Sequence, residues 1–181
     1  MNLIQEIAAD PVLVKRFLTP LKEDPAFEIP PHFEQEFKEL RVISSSSKAI
    51  FVSKITSPED FQQQIRIMAV AQHTLDRVQE LNTDLYFLQM RWHTHLKEST
   101  TWVNKQYFEP LNQLRDGVRK SVISSVLSPI EAGVERVDGL IEVGEKIYSH
   151  LIATNWNIKE GSSLIKEYLT SMKIGPLRTN V

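Results

Sequence analysis

Apolar residues recur along the middle of this chain at intervals of three and four. From Phe61 they continue through Ile65, Met68, Ala71, Leu75, Val78, Leu81, Leu85, Leu88, Trp92 and Leu96, with no proline or glycine before Pro110. That period puts them on one face of a long helix packed along its length, as in a bundle or coiled coil. Ser57-Pro58-Glu59-Asp60 opens it. The serine caps free amides, the proline suits the first helical position, and the acid stands where a capping box needs it. A second seam is cleaner still: Ile130, Val134, Val137, Ile141, Gly144, Tyr148 and Leu151 alternate four and three. Ser128-Pro129-Ile130-Glu131 repeats the opening device ahead of it. Ser99-Thr100-Thr101 and Pro110 place the turn between the seams within 98–110, and Leu111, Leu114, Val118, Val122 and Val126 continue the pattern after it.

The flanks read differently. Six prolines fall between Pro11 and Pro58 and segment that region into short pieces. Asp10-Pro11 predicts a capped helix to about Leu18, and Pro31 another with Phe33, Phe37 and Leu40 on one face. The β-branched and aromatic residues of 42–54, around four serines, predict a short strand or hairpin. Asn155-Trp156-Asn157 is expected to end the second seam helix. A last short helix then carries Leu164, Ile165, Tyr168, Leu169 and Met172 before Gly175-Pro176. The expected fold is all-α: a long antiparallel helical hairpin over 58–155, a proline-rich region 1–57, and a C-terminal helix and tail over 156–181. Glycines inside the second seam each weaken a helix by about 1 kcal/mol relative to alanine. Close helix approach explains Gly144; Gly133 and Gly139 have no reason visible in the sequence.

Composition narrows the chemistry. With 21 basic and 23 acidic residues the formal charge is −2, neither strongly basic nor strongly acidic. The absence of cysteine excludes thiolate catalysis, thiolate metal sites and disulfides. No glycine-rich phosphate loop, H-E-x-x-H, E-x-x-H or G-x-S-x-G is present. His93 and His95 lie two apart, about 200° around a helix, and cannot share a metal there. No cofactor is expected, and the expected class is non-enzymatic. The start of the chain lacks a basic segment followed by an apolar one, and no apolar run reaches the roughly 20 residues of a spanning helix. The expectation is therefore a cytoplasmic or particle-associated protein without a membrane partner.

Glu131, Glu135, Asp138, Glu142 and Glu145 form a carboxylate ridge beside the second seam and read as its solvated face. Near the turn, Trp102, Tyr107 and Phe108 are interleaved with cations. Those aromatics either plug the end of a helical core or join an oligomer contact. With Arg91, Lys97, Lys105, Arg115, Arg119 and Lys120 they could instead hold phosphates and stack bases.

From about residue 75 the layout resembles phage recombination mediators of the UvsY type. The residues that carry the resemblance are Val126-Leu127-Ser128, Val137-Asp138 and Asn157-Ile158-Lys159 after a long helix. It covers about half the chain, and residues 1–60 have no counterpart in it. It implies a small helical protein that assembles into rings and loads a recombinase onto single-stranded DNA.

The leading expectation is a protein that self-associates, or binds a helical protein partner, through apolar helix seams: a scaffold, adaptor or component of a larger particle. Its contacts are expected at Ile130, Val134, Val137, Ile141, Gly144, Tyr148 and Leu151 and at the aromatics of the turn. The second is a single-stranded nucleic-acid accessory factor that uses the six cations, with nucleic acid the less favoured partner.

Overall fold

The computed structural model describes residues 3–47 and 55–174, and all regular structure among them is helical. Helix α1 spans Leu3–Ala8 and α2 Pro11–Leu13, followed by a π-helical turn Val14–Leu18. Then come α3 at Pro20–Glu23, a 3₁₀ turn at Pro25–Phe27 and α4 at His32–Ser47. Two long helices, α5 at Pro58–Gln106 and α7 at Asp116–Ile174, are linked by the short α6 at Phe108–Asn112. They form the expected all-α antiparallel hairpin.

The caps follow from chemistry legible in the sequence. Asp10 Oδ1 accepts from the amides of Val12 and Leu13, at 2.8 and 3.3 Å. At the start of α5, Ser57 Oγ accepts from the Asp60 amide at 3.1 Å, and Asp60 Oδ2 accepts from the Ser57 amide at 3.0 Å. The reciprocal pair satisfies two amides that the first turn of a helix leaves without partners.

The chain forms two packed units. The first joins the residues up to Phe33 with Thr83–Glu142; its core includes Phe17, Leu85, Trp92, Val103, Leu111, Leu127 and Ile130. There the ring of Trp92 fills the space over Gly133, and Gln89 Nε2 donates to Asp138 Oδ1 at 2.7 Å. The second joins Glu34–Asn82 with the chain from Val143 onward, and buries Phe37, Val78, Leu81, Ile147 and Leu151. Asn82 and Phe37 crowd Gly144, and Arg77 of α5 binds Glu36 of α4 at 2.7 Å. The close approach expected at Gly144 is present. Gly133 has the same reason, which only the position of Trp92 makes visible.

Several boundaries differ from expectation. Residues 42–47 are not strand but the last turns of α4, whose stripe of Phe33, Phe37 and Leu40 carries the helix onward; the rest of the expected strand or hairpin, 48–54, lies outside the described residues. Pro129 does not open a helix but lies inside α7. An interior proline costs about 3 kcal/mol. Leu127 and Ile130 on either side are fully buried, each gaining roughly 1.5–3 kcal/mol, so packing outweighs the lost backbone bond. Likewise α7 does not stop at Asn155-Trp156-Asn157 but runs on to Ile174, and it takes in the residues expected to form a separate C-terminal helix. Asparagine and glycine lower helix propensity by about 1 kcal/mol or less per residue, too little to break a long helix without a proline. Ser99 and Thr101 also continue α5, with their hydroxyls donating to the carbonyls of Leu96 and Lys97. The turn therefore comes later, at 107–115, with Pro110 inside α6.

Near the start of α5 the buried face drifts off the predicted seam. Gln64 is fully buried and its amide atoms meet no partner among the described residues, whereas Ile65 is 45% exposed. A straight α-helix turns every 3.6 residues, so a seam of spacing 3.5 slips around it over many turns.

The glycines give opposite expectations. Gly133→Ala drives a methyl into the buried Trp92 ring and should lower the unfolding free energy by about 1–3 kcal/mol. A Cβ at Gly139 meets nothing, so Gly139→Ala should raise it by about 0.5–1 kcal/mol. Urea unfolding of the two variants checks both signs.

Candidate functional site

The seam of α7 is occupied by the chain's own core. Ile130, Val134, Val137, Ile141, Gly144 and Leu151 are buried and Tyr148 is half-buried.

The aromatics of the turn separate into two roles. Trp102 packs on Phe17 with ring centroids 5.9 Å apart and on Tyr107 at 6.3 Å. Tyr107 donates its hydroxyl to Asp10 Oδ2 at 2.6 Å and so ties the turn to the cap of α2. Phe108 projects into solvent. The Tyr107 hydrogen bond holds the Asp10 carboxyl below its ordinary range, with the Val12 and Leu13 amides adding to the effect against partial burial. Burial first, and then the neighbouring carboxylate, pushes the Tyr107 phenol up to about 12.

The six cations also divide. Arg91 donates to the Ala26 carbonyl at 2.8 Å, and Arg119 pairs with Asp116 at 3.0 Å. Arg115 and Lys120 are exposed around the start of α7. Lys97 and Lys105 line one groove of about 500 Å³ with a residue that sequence reasoning missed, Arg16, and with Trp102 and Glu98. Arg16 comes from the π turn, a widened helical form frequent at functional sites. None of these three cations forms an ion pair among the described residues.

Two further grooves adjoin this one. A groove of about 410 Å³ shares Thr94 and Glu98 with it and adds Phe27, Phe87 and Met90. Another of about 320 Å³ shares Phe87 and Arg91 with the second and adds Asp84 and Glu28. Together they make one trough along α5 from Asp84 to Lys105, walled by Arg16, Phe17 and the segment 25–33. His95 stitches this wall to α5: its Nε2 lies 2.9 Å from the Phe17 carbonyl and its ring packs tilted against Phe27, with centroids 4.7 Å apart. Phe87 and Met90 are 64% and 62% exposed. Their signal was readable in the sequence, because both are large apolar residues out of register with the Leu85, Leu88, Trp92 seam.

His93 and two carboxylates of the ridge, Asp138 and Glu131, are engaged with side chains of their own unit. His93 Nε2 lies 3.1 Å from Asp138 Oδ1, which also accepts from Gln89, and Glu131 accepts from Ser124. Among the described residues, no three His, Asp or Glu side chains are grouped so as to hold a metal, and no helix is long and apolar enough to cross a membrane. Compared with protein-family models, curated proteins and solved structures, the chain matches none.

Tyr107→Phe should lower stability at neutral pH by about 1.5–3 kcal/mol, the loss of one hydrogen bond to a charged carboxylate. The raised phenol pKa favours the folded state fully below the ordinary tyrosine value of about 10, and this contribution fades as pH rises toward 12. The depressed Asp10 pKa favours it above the ordinary aspartate value of about 3.9, and that contribution fades as pH falls through the lowered value. Unfolding measured against pH should therefore show wild type and variant converging at both extremes.

Proposed function

We propose that this chain is a non-enzymatic helical assembly protein, a scaffold, adaptor or component of a larger particle, that self-associates through an apolar stripe near the end of α7. The observation that carries this reading is the state of Leu164, Ile165, Tyr168, Leu169 and Met172. None of the five is buried, and Leu169 and Met172 are 43% and 52% exposed. Cover from α5 includes Phe61, whose ring lies 5.8 Å from that of Tyr168. Ile165, Tyr168, Leu169 and Met172 follow the i, i+3, i+4, i+7 spacing of a helical contact face. Fully burying such a side chain gains roughly 1.5–3 kcal/mol. A few of them from each copy can offset an association cost of about 4–15 kcal/mol. A stripe of this kind suits a two-fold contact in which the same surface serves both copies.

The nucleic-acid reading has less support. Of its six cations, one is spent on the Ala26 carbonyl and one on Asp116, and those that share a groove share it with Glu98.

Light scattering of the whole protein should give a multiple of the single-chain mass. Leu169→Glu with Met172→Glu should reduce it to one chain while the helical circular dichroism is retained. A wild-type mass of one chain at micromolar concentration would sink the reading.

A further inference from the structure

We infer that the trough along α5 is a docking site for an amphipathic helix of another protein, acidic in its first turn and apolar along one stripe, lying antiparallel to α5. The trough belongs to a different unit from the α7 stripe, so this inference does not rest on self-association.

Its chemistry is graded from end to end. At the Lys105 end, Arg16, Lys97 and Lys105 face one carboxylate, Glu98. In the middle, Phe87 and Met90 stand exposed beside the Phe27 ring. At the far end the charge changes sign, with Asp84 and Glu28 across from Arg91, whose guanidinium already serves the Ala26 carbonyl. The span from Asp84 to Lys105 is about 30 Å, the length of a helix of roughly 20 residues. Phe87, Met90 and Thr94 lie three and four apart and present a ridge of the kind that fits between the side chains of a second helix.

Two arguments set the orientation. The partner's carboxylates belong at the basic end, where three cations lack ion-pair partners. Acidic residues are also most favourable in the first turn of a helix, where free amides carry partial positive charge. Both are met when the partner begins near Lys105 and runs toward Asp84, against the direction of α5. Its last turn, where cations are favoured, then meets Asp84 and Glu28. A phosphodiester strand fits less well, because it would pass Glu98, Asp84 and Glu28 with unpaired cations only in the first third of its path.

The probe is a fluorescently labelled synthetic peptide of about 20 residues, with leucines at helical spacing, glutamates in the first turn and lysines in the last. A second peptide has the glutamates and lysines exchanged. Against the full chain, anisotropy should show the first binding at least about tenfold tighter than the second. Lys97→Glu with Lys105→Glu should reverse that order. Phe87→Ser with Met90→Ser should weaken the first peptide by more than about tenfold; both side chains are already exposed, so the fold survives their replacement. Leu169→Glu with Met172→Glu should leave peptide binding unchanged, which separates this inference from the assembly reading. Absence of binding, equal binding of the two peptides, or displacement of the first peptide by oligothymidylate at lower concentration than by its own unlabelled form would overturn it. The last outcome would assign the trough to nucleic acid.

Discussion

The closeness with which α7 lets α5 side chains approach it is the constraint on which this structure depends. Gly133 and Gly144 each remove a Cβ where a side chain of α5 must lie: Trp92 at the first, Asn82 at the second. A methyl at either position would hold the helices apart and leave gaps in a core that derives its stability from close contact. The two glycines weaken α7 locally by about 1 kcal/mol each. The surrounding burial of Leu85, Leu127, Ile130 and Ile141 more than offsets that cost. The same balance explains a proline in the middle of a helix: the backbone bond lost at Pro129 counts for less than the packing of its neighbours.

The proline-rich beginning of the chain has a structural role that its composition hides. Short helices cannot hold themselves together in water. Here three of the short turns are fastened to the hairpin by a polar contact beside an apolar one. Asp10 meets Tyr107 while Leu13 is buried; the Phe17 carbonyl meets His95 while its ring packs on Trp102; the Ala26 carbonyl meets Arg91 while Phe27 packs on Trp92. These fastenings build one wall of a trough whose floor is α5. Surfaces made from two distant stretches of chain in this way are common places for recognition, because a rigid helix supplies the spacing and the attached segment supplies the chemistry.

The apolar side chains left uncovered divide between the two units. In one, the stripe near the end of α7 has the regular spacing of a helix contact. In the other, Phe87 and Met90 sit among charges of both signs. A regular apolar stripe favours a like partner, whereas an apolar centre flanked by opposite charges selects one orientation of a different one. We accordingly propose two kinds of contact, one for assembly through the α7 stripe and one for recognition through the trough along α5.

The three-and-four spacing of apolar residues was enough to determine an all-α hairpin, because helical period is a local property of the chain. The caps at Asp10 and Ser57 were legible for the same reason: a cap is made by residues within one turn of each other. The seam of α7 was visible as apolar, but what it faces was not. Whether Ile130 or Val137 meets another copy or the chain's own α5 depends on residues some forty positions away. Asn155-Trp156-Asn157 and Pro129 misled because local propensity costs about 1–3 kcal/mol, and burial spread over a long helix exceeds it. Arg16 could not be joined to Lys97 and Lys105 from sequence, since they lie some eighty residues apart along the chain. Local periodicity set the elements, and tertiary packing alone decided which stripes were hidden and which charges met, because burial and electrostatic contact depend on distance in space.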